Sequence, residues 1–176
     1  MLGTMQHTKK AIAHAMELHK GQTRQVSGLP YITHPIEVYT IVKKYKESHN
    51  IDNICAAAVL HDTIEDCGIT HEILKNEYNS MIADLVLEVT NEPHKIFLMG
   101  GKRNYINHKL TKISNYALII KLADILANAT DNPTESQIKR IRQHQVYLTN
   151  GVRKLTATQS KLLEQIDYSL YNLYGV

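Results

Sequence analysis

Apolar residues along this chain recur three and four positions apart, and no long run alternates apolar with polar. That period belongs to an α-helix with one buried face, whereas a half-buried strand needs a period of two. Lys9 to Lys20 carries Ile12, Ala15, Met16 and His19 on one stripe, and Gly21 is a stop. Gly21 to His34 reads as a loop, because Ser27-Gly28-Leu29-Pro30 is turn chemistry. Pro35 suits the first position of the next helix, where its missing N–H is not needed. Asp52 is placed to cap a strongly apolar helix that ends near Gly68. Thr70 opens a short helix through about Tyr78, and Met81 to Thr90 forms another. Asn91 to Gly101 reads as a loop, with Pro93 and Gly100-Gly101 as breakers. Lys102 to Leu110, Ser114 to Ala129, Thr134 to Leu148 and Ala157 to Tyr174 complete the set. The predicted fold is all-α, one domain over residues 1–176, a bundle of about eight to ten helices.

Composition narrows the class. At 176 residues with 43% hydrophobic side chains, one core can form without disulfides, and Cys55 and Cys67 are the only cysteines. The longest clean apolar run is Ile54 to Leu60, too short for a membrane span, and Met1 to Lys10 lacks the apolar core of a signal peptide. A cytoplasmic location is expected. A net charge of +3 with no dense basic stripe argues against a DNA-coating protein. The apolar stripe of the last helix can serve core packing or a contact between two copies.

The anomaly is His61-Asp62-Thr63-Ile64-Glu65-Asp66, which follows Ala56-Ala57-Ala58-Val59-Leu60 without a break. On one continuous helix, Glu65 lies roughly 40°, Asp62 roughly 100° and Asp66 roughly 140° from His61, so all four line one wall. Buried charges are costly unless paired or metal-bound, and four together call for a cation. Asp124 interrupts the apolar run from Ala117 to Leu126, with Asn128 four residues later on the same wall, and His34 stands at a loop-to-helix junction. Two imidazoles and two carboxylates from His34, His61, Asp62 and Asp124 suit Mn, Fe or Zn better than Ca. Such a set leaves room for a water of lowered pKa, with Glu65 and Asp66 behind it to move protons.

The order His34, His61-Asp62, Asp124 resembles the signature of the HD phosphohydrolase superfamily. Gly21-Gln22-Thr23-Arg24 with Ser27 to Pro35, the block from Ala56 to Asp66, Leu85 to Thr90 and Ile120 to Asp124 are similar to the motifs of the Rel/Spo alarmone hydrolases. The likeness runs over about residues 11–128, and helices over 134–174 would complete the bundle. With the chain ending at Val176 there is no room for the synthetase and regulatory domains of the bifunctional members, so the expected type is a stand-alone small alarmone hydrolase similar to the metazoan SpoT homologue. The resemblance implies removal of pyrophosphate from the 3′ position of ppGpp or pppGpp. It implies Mn²⁺ on His34, His61, Asp62 and Asp124, with Glu65 and Asp66 catalytic. It also implies nucleotide contacts from Arg24, Ser27, Tyr31, Lys102, Arg103 and Asn128.

Three positions depart from the pattern: Leu29 stands where the family has an acid, Ile125 where it has a base, and Ala127 where it has His or Tyr. As neighbours of the cleft they leave other substrates open, among them adenine alarmones, the 2′-phosphate of NADPH and nucleoside monophosphates. A catalytically dead nucleotide sensor is the other alternative, which the intact ligands and both carboxylates oppose. The remaining histidines fall outside the motif and are expected at surfaces and boundaries, with His19 able to approach the cleft mouth.

Overall fold

The computed structural model describes residues 5–175; residues 1–4 of the N-terminal stretch read for a leader, and Val176, lie outside them. Among the described residues the chain forms eleven helices: α1 (Gln6–Leu18), α2 (Thr33–Tyr45), α3 (Ile51–Val59), α4 (Thr63–Cys67), α5 (His71–Glu77), α6 (Ser80–Val89), α7 (Pro93–Leu98), α8 (Lys102–Lys112), α9 (Asn115–Thr130), α10 (Glu135–Thr149) and α11 (Ala157–Tyr174). An isolated antiparallel bridge, Thr23 with Pro30, closes the loop between α1 and α2. No helix among the described residues is long and apolar enough to cross a membrane.

Eleven exceeds the expected eight to ten for two local reasons. Asn91 to Gly101 is not all loop, because Pro93 starts α7 at the position where its missing N–H costs nothing. The apolar helix after Asp52 does not run through to Gly68. It stops at Leu60, and the chain turns through His61 and Asp62 before α4 begins. Thr63 supports the break, as its backbone N–H and its hydroxyl both donate to Leu60 O, at 3.0 and 2.7 Å.

The core is built around α3 and α9. Ala56, Ala57 and Ala58 are fully buried, and their small side chains let α1, α2, α6 and α9 approach α3 closely. On α9, Leu118, Ile120, Leu122, Ala123 and Ala127 are fully buried among α2, α6 and α11. Helix starts follow local capping: Thr70, Asn79, Ser114, Thr134 and Thr156 each accept a backbone N–H two or three residues into the helix that follows.

Asp52 caps a different helix from the one expected. It lies inside the first turn of α3, and its carboxylate accepts the backbone N–H groups of His7 and Thr8, both at 2.9 Å, and the Thr8 hydroxyl at 2.8 Å. Those N–H groups open α1, where Met5 has no side-chain oxygen to offer. Burial alone would raise the Asp52 carboxyl, but the Thr8 and His7 donors outweigh it and hold the pKa below the usual value. A depressed folded pKa means the stabilisation is present above the unfolded carboxylate range and is lost as pH falls through the folded value. Asp52→Ala should therefore cost about 1–2 kcal/mol in urea unfolding at neutral pH, with the gap to wild type closing as the medium is acidified. An equal gap at all pH values would remove the carboxylate from the account.

Candidate functional site

The break at residues 60–62 builds the site. On an unbroken helix adjacent side chains diverge by about 100°, so the shared-wall geometry expected for one continuous helix does not hold. In the turn, His61 and Asp62 reach one point instead, with His61 Nε2 2.9 Å from Asp62 Oδ2. His34 arrives from the first turn of α2, its backbone N–H tied to Tyr31 O, and Asp124 from the middle of α9. His34 Nε2 lies 3.3 Å from Asp124 Oδ1 and 3.8 Å from Asp62 Oδ2, and His61 Nε2 lies 4.0 Å from Asp124 Oδ1. Ligand atoms of His34, His61 and Asp62 fall within 4.8 Å of one another, the spacing of groups around a single ion.

The donor set fits a divalent cation. His61 Nδ1 is 2.9 Å from Ala58 O, and a carbonyl only accepts, so the proton sits on Nδ1 and the Nε2 lone pair faces the cluster. His61 Nε2 and His34 Nδ1 are buried without a hydrogen-bond partner; the close approach of His61 to Asp62 is out of line for one. Burial pulls the His61 pKa down, yet Asp62 and Asp124 prevail and raise it to about 9. A pocket that favours a proton there favours any cation. Asp62 runs the other way, held at about 2 by His61 and by the Tyr31 hydroxyl against the effect of burial and of Asp124. That hydroxyl donates to Asp62 Oδ2 at 2.5 Å, and burial followed by Asp62 drives the phenol's own pKa far up.

Asp124 is 7% exposed and survives burial through its neighbours. Lys121 Nζ lies 2.7 Å from its Oδ2, and Asn128 Nδ2 donates to its Oδ1 at 2.6 Å. Lys121 turns inward, and its pKa is raised because Asp124 outweighs the burial of the ammonium. Asp124 is correspondingly held well below the usual carboxylate range, Lys121 prevailing over burial.

His34, Asp62, Lys121, Asp124 and Asn128 line part of a cavity of about 350 Å³, which His61 itself does not border. Arg24, Tyr31, Glu65, Asp66, Lys102 and Asn128 all border it. Arg24 is fixed by Asp131, which also lines the cavity, at 2.8 Å from its Nε, and by Glu37 at 3.2 Å. Glu65 is gripped by Asn91, whose backbone N–H and Nδ2 reach its Oε2 at 3.1 and 3.0 Å. Burial, Asp62 and Glu65 raise the pKa of Asp66. Ser27 and Arg103 do not border the cavity. Ser27 sits exposed in the turn beyond Arg24, and Arg103 is one step around α8 from Lys102 and Ile106, which carry the cavity face. Of the three departures, Ile125 lines the wall, while Leu29 is an exposed turn residue and Ala127 is core.

The far wall is α10, which the sequence reading did not single out. Gln137, Arg140, Ile141 and His144 line it at helical spacing, a stripe that was legible as a pattern but carried no sign of what it faced. His144 is buried rather than at the surface, and burial, then Arg140, lowers its pKa to about 4. His19 is buried as well, its ring tilted against Tyr31 at 4.8 Å between centroids, with Nδ1 2.7 Å from Gln22 Oε1.

Residues 11–94 match a family described as HD domain. The chain is 30% identical over 159 residues to the guanosine-3′,5′-bis(diphosphate) 3′-pyrophosphohydrolase MESH1 of Xenopus tropicalis, covering 88% of this chain and 87% of that protein. Identity to the protein of the same name from Danio rerio is 29% over 158 residues, 87% of this chain and 86% of the relative. A guanosine-3′,5′-bis(diphosphate) 3′-pyrophosphohydrolase of Vibrio cholerae is 43% identical over 119 residues, 65% of this chain but 16% of the longer relative. A solved structure described as a metazoan ortholog of SpoT that hydrolyzes ppGpp superposes with a TM-score of 0.72 over 97% of both chains, at 25% identity.

Tyr31 and Asn128 orient the two carboxylates of the donor set without belonging to it. Outer partners of this kind are worth about 10- to 100-fold in metal affinity. Tyr31→Phe should weaken Mn²⁺ binding by that order, read by competition with a fluorescent chelator, while the helical circular dichroism spectrum stays unchanged. Wild-type affinity in the variant would show that Tyr31 does not set the carboxylate.

Proposed function

The chain belongs to the MESH1-type pyrophosphohydrolases of the HD domain family, and from that membership we propose that it is a metal-dependent hydrolase removing pyrophosphate from the 3′ position of ppGpp and pppGpp. The observation that carries this reading is the convergence of His34, His61, Asp62 and Asp124, from three separate elements, beside a cavity with Glu65 and Asp66 on its edge. These four residues would hold one Mn²⁺, with Fe or Zn chemically acceptable to the same donors. The ion would supply Lewis acidity, acidifying water and offsetting phosphate charge.

The chain's own residues supply the rest. The bond to be broken joins phosphorus to the ribose 3′ oxygen, which leaves as a hydroxyl and needs a proton. Water gives its oxygen to phosphorus and must lose one. Glu65 and Asp66, side by side on the cavity edge, are the carboxyl pair for those two transfers. Lys102 and Arg140 place positive charge on the walls for the phosphate chains, and Arg24 offers a planar guanidinium for the base, its Nε and Nη1 held by Asp131 and Glu37.

One observation keeps a second substrate class in view. Ile125, where the family carries a base, lines the wall, so an apolar side chain faces the cavity where the resemblance leads one to expect a positive charge. The test is pyrophosphate release from ppGpp by the purified protein, with Mn²⁺, with chelator, and with Asp62→Ala. Release that requires both the metal and Asp62 is the expected result. Phosphate release from NADPH or from an adenine alarmone, with ppGpp untouched, would move the substrate and keep the site. No release from any of them and no metal retained would overturn the reading.

A further inference from the structure

Glu65 owes its direction to one residue. Asn91 supplies both donors to its carboxylate, and the Asn91 Oδ1 is buried without a hydrogen-bond partner among the described residues. The Asn91 side chain therefore makes no other hydrogen bond that could fix it, and its place depends on the short strap 90–92 between α6 and α7. That strap is held from α8. Lys109 Nζ donates to Thr90 O at 2.5 Å and to Tyr105 OH at 3.0 Å, and the same phenol oxygen accepts the backbone N–H of Glu92 at 3.0 Å. Tyr105 and Lys109 are one helical turn apart on α8, only 3% and 8% exposed, so the strap is bonded on each side of Asn91 by two buried groups on one face.

We propose that Lys109 and Tyr105 are positioning residues for Glu65, acting through the strap to aim Asn91 and thereby the carboxylate. This rests on the reading of Glu65 as catalytic. A buried ammonium is costly unless its donors are met, and burial lowers the Lys109 pKa to about 8. Neither side chain borders the reaction cavity, so an effect on rate must travel through the strap.

The experiment compares Lys109→Met, Tyr105→Phe and Glu65→Gln, and the double variant Lys109→Met/Glu65→Gln, in Mn²⁺-loaded protein with ppGpp. Loss of aim should lower kcat by about tenfold with KM little changed, and Lys109→Met should cost nothing further once Glu65 is already glutamine. Amide hydrogen exchange read by NMR gives an arm independent of turnover: the Asn91 N–H, which donates to Glu65, should exchange faster in both α8 variants. Tyr105→Phe keeps the ring in the core if Lys109→Met unfolds. Full activity with unchanged Asn91 exchange overturns the inference, as does a Lys109→Met loss that adds in full to that of Glu65→Gln. A wild-type protein inert toward ppGpp, or a fully active Glu65→Gln, sinks the functional reading instead. The Asn91 exchange rates then still decide whether α8 holds the strap.

Discussion

A carboxylate in the middle of a buried helix is the constraint around which this bundle is arranged. Unpaired, Asp124 would cost several kcal/mol, more than one well-packed Leu or Ile returns at about 1.5–3 kcal/mol. Its neighbours answer the problem at helical spacing: Lys121 three residues before and Asn128 four residues after bind its two oxygens. What they leave unmet is directed at His34 and the turn that carries His61 and Asp62. The approach of α2 and the end of α3 to α9 is thus electrostatic as well as apolar, and Ala56, Ala57, Ala58 and Ala123 keep side-chain bulk from preventing it. With its imidazoles neutral, the cluster sets two carboxylates against one buried lysine, so an excess of negative charge is left for a cation to meet.

What the sequence disclosed follows from how local each signal is. Thr70, Ser114 and Thr134 sit at helix starts because a short hydroxyl can reach an N–H two or three residues on, within one turn of the same helix. Asp124 stood out because a polar residue inside an apolar periodic run violates the pattern that defines the run. The break at Leu60 was hidden, because the residues that follow have no aversion to helix; it depends on Thr63 turning back to Leu60 O and on where α9 lies. Asp52 misled for a related reason. A capping aspartate has one residue type whether it serves its own helix or another, and only the fold places the start of α1 beside it. The α10 stripe of Gln137, Arg140 and His144 had visible periodicity, yet an inward polar stripe and a solvated one look alike until a cavity is known to lie beside it.

Asp52 at α1 is one instance of a wider device. A helix leaves N–H groups free at its start and carbonyls free at its end, with the dipole favouring negative charge at the first and positive at the second. Here those groups are met repeatedly by side chains from elsewhere in the chain, with the sign each end prefers. Glu88 of α6 accepts the Ser114 N–H at the start of α9, while Arg153 donates to Leu110 O and Ile113 O at the end of α8. Lys109 of α8 does the same for Thr90 O at the end of α6. Short helices are marginal alone, and several here span fewer than ten residues. Cross-capping makes each depend on its neighbours rather than on its own length. It also carries position from one helix to the next: α8 fixes where α6 ends, the end of α6 fixes Asn91, and Asn91 fixes Glu65. The His–Asp cluster is set by helices that meet in the core, whereas Glu65 at the cavity edge is set by how helices end. Sequence motifs record the first arrangement well and the second hardly at all, because the charge that meets a helix end can come from any element that passes near it.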